Sequence, residues 1–204
     1  FAFAIYAPPE DMLEVDMGEL FPQFRGQRVR GRLQGKRVVP YFNRAEIDAG
    51  SANALQGREL YWVENPVELF FLQIQGSGRI ELEDGRRVKI GYADQNGHPY
   101  ASIGKKLIDM GELKPEEASM QGIKNWAEKN RERLYILLGQ NPSYVFFREL
   151  PDMLSAPLGA LGVPLTEEYS IAVDVRTIPL GVPVFLASTQ PNNGEPLNRL
   201  MFAQ

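Results

Sequence analysis

The stretch Leu69-Phe-Phe-Leu-Gln-Ile-Gln-Gly-Ser-Gly-Arg79, followed downstream by Gly91-Tyr-Ala-Asp-Gln-Asn-Gly-His-Pro-Tyr100, is the most informative part of this chain. Amides, hydroxyls, glycines and aromatic rings alternate there, a mixture that suits a groove for a neutral, hydroxyl-rich ligand better than a packed core. Between the two halves, Ile80, Leu82, Val88 and Ile90 alternate with polar residues about Asp84-Gly85, the pattern of a hairpin with a tight turn. Just upstream, Asn65-Pro66-Val67-Glu68 supplies a helix cap, a proline at the first helical position and an acidic residue in the first turn. A helix is expected to run from there into Phe70 and Phe71. Asp94, Gln95 and Asn96 then read as a polar loop.

Working outward, Pro8 to Asp16 reads as a connector and Arg28 to Pro40 as two short strands around Gln34-Gly35. Asn43-Arg-Ala-Glu46 has the residue types of a capping box, so a short helix starts there. Ser102 caps a run with Ile103, Leu107 and Met110 on one face, stopped by Gly111. Ser119 to Lys129, with Met120, Ile123 and Trp126 apolar, predicts a second helix, and Arg131 to Leu138, ended by Gly139, a third. Asn141-Pro-Ser143 breaks that pattern before Tyr144-Val-Phe-Phe147, a short buried strand. From Pro151 to Pro164 the chain is rich in Pro, Gly, Ala and Leu, and beyond it only strands are expected: Ser170 to Val173, Val182 to Leu186 and Leu200 to Ala203. A boundary near Pro151 therefore separates an α+β unit from a mainly β one.

The 204 residues, 44% of them hydrophobic, suffice for one good core or two modest ones. A net charge of -4 and a pI near 5.2 argue against nucleic acid as a partner, since phosphates need Lys and Arg clustered on one face. The basic cluster from Arg25 to Arg37 is interleaved with glycine and Val29, Leu33, Val38 and Val39, and reads as a solvated hairpin face. The absence of cysteine rules out disulfides, thiolate metal sites and thiol nucleophiles without deciding the compartment. No apolar run approaches the ~18 residues of a membrane span. The opening Phe1-Ala-Phe-Ala-Ile-Tyr6 alternates like the middle of a strand, so a fragment or processed form is expected, with any export or lipidation signal upstream.

Glycoside cleavage ordinarily needs two carboxylates, one to protonate the leaving oxygen and one as base or nucleophile. Asp94 and Asp174 are the candidates. For Asp94 an Asx-type turn cap competes with ligand binding; for Asp174 a turn or barrel acceptor does. His98 is the single histidine, so a metal cluster or catalytic triad would rest on it alone, and a loop histidine before proline is the default. Gln75-Gly-Ser-Gly-Arg79 lacks the endings of a phosphate loop or dinucleotide fingerprint and reads as a turn or close-approach site. Tyr92, Tyr100, Tyr144, Phe146 and Phe147 are candidates for a sugar-stacking platform, against the more common fate of aromatic core packing.

Taken together, Phe70 to Arg79, Gly91 to Tyr100 with Ser102-Ile-Gly104, Ser119-Met-Gln121 and Gln140-Asn-Pro-Ser-Tyr-Val-Phe-Phe-Arg148 resemble the membrane-bound lytic transglycosylase A family. Gly159 to Leu165 and Ser170 to Gly181 resemble the start of that family's double-psi β-barrel. The resemblance implies a partial double-psi barrel carrying an inserted mixed α/β domain: residues 1–8 and 151–204 would be barrel pieces, and 9–150 the insert. It implies cleavage of the β-1,4 bond between N-acetylmuramic acid and N-acetylglucosamine in peptidoglycan without water, leaving 1,6-anhydro ends. There a single acid suffices, because the sugar's C6 hydroxyl is the nucleophile, and no metal or cofactor is needed. The family's catalytic aspartate belongs to an Asp-x-Gly-Gly motif that directly follows the segment matched by Leu197 to Gln204. No catalytic residue is thus expected in this chain, and Asp174 is assigned to barrel structure and groove support. Gln75, Ser77, Asp94, Gln95, Asn96 and Tyr144 are the expected substrate contacts. The resemblance also implies a periplasmic location on an upstream outer-membrane lipid anchor, with cell-wall synthesis or division proteins as possible partners. A non-catalytic glycan-binding module is the rival reading, and a partner-binding scaffold ranks behind it.

Overall fold

A computed structural model describes residues 2–25, 29–151, 156–190 and 193–204. They form two compact units, Phe1–Glu149 and Leu150–Gln204.

In the first unit, β1 (Phe3–Tyr6), β2 (Leu13–Val15), β3 (Val29–Gln34) and β4 (Arg37–Pro40) precede α1 (Arg44–Asp48), β5 (Glu59–Val63) and α2 (Pro66–Gln75). The hairpin β6 (Ser77–Glu81) and β7 (Arg87–Gln95) follows, then α3 (Ile103–Asp109), α4 (Met120–Lys129), α5 (Arg131–Gly139) and β8 (Val145–Leu150). The strands make three small sheets, β1-β5, β2-β3-β4 and β6-β7-β8. The hairpin pairs Ser77 with Gly91 through Glu81 with Arg87, and Gly85 closes its turn by donating to the Leu82 carbonyl at 2.9 Å.

Local chemistry sets the helix starts. The Asn43 side chain accepts from the Glu46 N–H while the Glu46 carboxylate accepts from the Asn43 N–H, a complete capping box. Asn65 accepts from Val67 and Glu68 and leads into Pro66. Ser102 and Ser119 cap α3 and α4 in the same manner. At the far end of α2, Gly76 adopts φ 76°, which lets the chain leave the helix and enter β6 with no intervening loop.

Three apolar clusters make up the core, and all draw on residues of the first unit. Phe70, Leu107, Trp126 and Leu137 gather α2 to α5; Tyr41, Ile47, Tyr144 and Phe146 lie under α1; Ile5, Leu69, Ile90 and Phe147 lie beneath the hairpin. Burying each such side chain is worth ~1.5–3 kcal/mol.

The second unit contains β9 (Ser170–Ile171), β10 (Pro183–Thr189) and β11 (Pro196–Ala203) in the order β10-β11-β9, with no helix among its described residues. This three-stranded sheet is open. The class is therefore the expected α+β, with a strand-only part after Leu150.

Several details differ from the sequence reading. Pro8–Asp16 is not all connector, because Leu13–Val15 pairs with β3. The strand within residues 1–8, β1, pairs with β5. Asp94 and Gln95 end a long strand and do not sit in a loop. Met110 and Met120 face water, and Gly139 is the last residue of α5, with Gln140 as its cap. Arg30, in the cluster read as a solvated face, is buried, because two carboxylates neutralise it. Arg28, in the same cluster, lies outside the described residues.

Candidate functional site

The sequence-predicted contacts do not converge on one point. Gln75, at the end of α2, is exposed and lines a hollow of about 630 Å³ with Trp62, Glu68, Gly78, Arg79 and Lys124. Ser77 opens β6 next to it and is half-buried. Gly78 fits tightly beneath: a Cβ there would stand 2.5 Å from Leu72.

Asp94 is half-buried, and both its oxygens lie 3.1 Å from Arg30 Nε. It also accepts from the Gln95 N–H at 2.8 Å. Glu14 meets the same guanidinium at 3.1 Å. So committed, Asp94 holds β3 to β7. Gln95, half-buried, follows it at the strand end.

Asn96 is fully buried and has spent its amide on the fold. Its Nδ2 donates to the Phe42 and Pro142 carbonyls at 2.9 Å each, while Oδ1 accepts from the Tyr144 N–H at 2.9 Å and the His98 N–H at 3.4 Å. Nothing remains for a ligand. Gly97 passes so close to Arg30 that a Cβ would lie 3.0 Å from its backbone nitrogen, and its φ of 79° suits glycine. His98 Nε2 lies 2.7 Å from the Tyr41 carbonyl; because a carbonyl only accepts, this nitrogen carries the proton. His98 is thus a structural loop histidine.

Tyr144, Phe146 and Phe147 are core residues, whereas Tyr92 and Tyr100 are exposed. Tyr144 still borders a second hollow, of about 390 Å³, with Phe3, Tyr6, Asp48, Trp62 and Tyr135 among its walls. Behind it lies Arg44, 4% exposed. Its Nη2 donates to Gln73 Oε1 and to the Ser143 carbonyl at 2.8 Å, and its guanidinium sits between the rings of Phe70 and Tyr144, 4.7 and 5.0 Å from their centroids. Burial pushes the Tyr144 hydroxyl up and the Arg44 guanidinium down. Asp48, at the end of α1, keeps an exposed surface, and the protein packed around its carboxyl raises it, a shift that Arg44 opposes.

Asp174 differs sharply. Its two oxygens meet Arg176 at 2.7 to 3.2 Å, and hydrogen bonds from the Arg176 side chain and backbone hold it at about 2. Such a group has no proton to deliver near neutrality. The sequence reading missed Arg44, Asp48 and Trp62. For Trp62 the only signal was an aromatic residue near a strand end; for the other two there was none beyond their place in a capped helix.

Among the described residues no cluster of His, Asp and Glu could hold a metal, and no helix is long and apolar enough to cross a membrane.

The family model described as "MltA specific insert domain" matches residues 1–148. The chain is 38% identical to the membrane-bound lytic murein transglycosylase A of Escherichia coli strain K12, over 97% of this chain and 53% of that protein. It thus spans about half the length of the curated relatives it matches. The crystal structure of MltA from Neisseria gonorrhoeae in its monoclinic form superposes with a TM-score of 0.82 at 43% identity, covering 99% of this chain and 56% of that one. The Escherichia coli MltA structure with bound chitohexaose gives 0.69 at 36% identity, covering 86% and 56%.

Proposed function

Because this chain belongs to the membrane-bound lytic murein transglycosylase A family, we propose that it forms the glycan-holding part of an enzyme that cleaves peptidoglycan without water. The observation that carries this reading is the relatedness to the Escherichia coli protein, whose structure with chitohexaose matches this chain at 36% identity. In the proposed reaction an acid protonates the glycosidic oxygen between N-acetylmuramic acid and N-acetylglucosamine. The C6 hydroxyl oxygen then bonds to C1, and its proton returns to the same carboxylate, leaving a 1,6-anhydro end. The C1–O4 bond is the one broken, and no water is consumed.

Neither Asp94 nor Asp174 suits that acid. Asp94 is tied to Arg30 and Asp174 to Arg176; by the family resemblance, in which the acid follows the segment matched by Leu197 to Gln204, the general acid is assigned outside residues 1–204. Gln75, Ser77 and Gln95 are the contacts that remain open to substrate, while Asp94, Asn96 and Tyr144 frame the groove by fixing β7 and the loop after it. Residues 151–204 are assigned to the barrel, as one piece of it. The family's membrane-bound name supports anchoring at the periplasmic face of a membrane, by a lipid attached upstream; cell-wall synthesis or division proteins are the partners that location favours.

The test is digestion of purified murein sacculi with mass spectrometry of the soluble products, using this chain beside a version extended at both ends. Anhydromuropeptides from the extended form alone are expected. Products from this chain would place the acid within it, with Asp48→Asn the first variant to assay, and products from neither would leave the non-catalytic glycan-binding module.

A further inference from the structure

Trp62 stands in the wall shared by two hollows of the first unit, and we propose that its indole is the stacking platform of a saccharide subsite for a neutral N-acetylhexosamine ring. This rests on the glycan-binding reading above and goes beyond it, because it adds a subsite on the far side of Trp62 from Gln75.

Trp62 lies on β5 opposite Ala4 of β1, and it is 59% exposed although every other residue of its strand is half-buried. A large aromatic face left in water beside concave surface offers a flat apolar ring on which the C–H face of a sugar can stack. Trp62 and Leu69 line both hollows, so the two adjoin at the indole. Each has a volume in the range of small-ligand pockets, ~300–1,000 Å³.

The lining also selects the ligand. On one side Phe3, Tyr6 and Tyr135 supply apolar surface and Asp48 a carboxylate. On the other, Gln75 and Arg79 supply an amide and a guanidinium. A hexosamine ring presents an apolar face of C–H groups and a rim of hydroxyls and one acetamide. Its face fits the indole and its rim can donate to Asp48, while the neighbouring ring of the same glycan, on the other side, can accept from Gln75 or Arg79. The Gln75 side also carries Glu64, Glu68, Glu81 and Glu83 against two cations, Arg79 and Lys124. That excess of negative charge repels a carboxylate-bearing sugar and leaves a neutral one favoured.

Two tryptophans make the test direct. Trp126 is buried, with Nε1 donating to Glu112 at 3.0 Å, so a Trp126→Phe chain reports Trp62 alone. Titration with chitohexaose should shift the Trp62 emission and shield it from iodide quenching. In calorimetry on the otherwise native chain, Trp62→Ala should weaken chitohexaose at least tenfold and Trp62→Tyr much less. If chitohexaose binds with the same affinity to Trp62→Ala and iodide still reaches the indole, the subsite is overturned while the enzyme reading stands. If chitohexaose does not bind the native chain at all, the subsite is again overturned, and the sacculus digest separately decides the enzyme reading.

Discussion

Asn96 and Gln75 carry the same amide group in opposite surroundings, and substitution should separate them cleanly. Asn96→Ala strips the partner from the buried Tyr144 N–H and from the half-buried Phe42 carbonyl, while the Pro142 carbonyl keeps the Arg44 N–H. At ~1–3 kcal/mol for each of the two orphaned groups, the loss should reach at least ~2 kcal/mol, read as a lower urea midpoint. Gln75→Ala removes an exposed side chain, so its midpoint should stay within ~0.5 kcal/mol of the parent while chitohexaose affinity falls; a large stability loss would make Gln75 structural. Asp48 gives a pH test with a definite sign. Its folded carboxyl is raised above the ordinary value of 3.8, so between that value and the folded one the native state holds more protons than the unfolded chain. Stability contributed by this group therefore falls as pH rises through that interval. Because Asp48 is exposed and solvent screens it, Asp48→Asn should raise the thermal midpoint only slightly at neutral pH and leave it unchanged well below 3.8. A variant that is less stable at neutral pH would show that the attraction to Arg44 outweighs the withdrawal from water.

At the scale of elements, what the sequence made legible was short-range. The Asn43 and Asn65 caps, the hairpin about Asp84-Gly85 and the stop at Gly111 each depend on residues within a few positions, and the structure has them all. Arg30 and Arg44 were illegible because their partners are far along the chain: 64 residues separate Arg30 from Asp94, and 99 separate Arg44 from Ser143. No periodicity encodes such a pairing. The same limit hid the groove. The polar run from Asp94 to Asn96 looks like a ligand loop, yet the side chains of Asp94 and Asn96 face a neighbouring strand and two carbonyls that only the folded topology brings near. Helix α2 matters most for the site, since its start carries Asn65 and its end carries Gln75. Asn65→Ala leaves the Val67 and Glu68 N–H groups without their acceptor and should cost ~0.5–2 kcal/mol in chemical denaturation. Asn65→Asp, which restores an acceptor, should recover most of that loss; an equal loss in both would point to a packing role for Asn65.

For the whole molecule, the distribution of apolar surface assigns different physics to the two units. The first has its own core in three clusters among the described residues, so residues 1–149 should fold alone, and the proposed chitohexaose affinity should be the same for them as for residues 1–204. The second unit leaves Phe185, Leu200 and Phe202 each more than half exposed. Phe185 stands directly opposite Leu200, and Phe202 opposite Pro183, so these rings share one face of the β10–β11 ribbon. An apolar sheet face beside an open edge favours association. The full chain should therefore bind a hydrophobic dye and sediment with concentration-dependent mass, whereas residues 1–149 should do neither. Replacing Phe185 and Leu200 together by Lys and Glu breaks the apolar face while keeping an attractive cross-strand pair. That variant should lose dye binding and self-association with no change in the urea midpoint of the first unit. A sharp single species for the unmodified chain would remove the association argument, and a shifted midpoint in the variant would mean that the sheet face supports the first unit's stability.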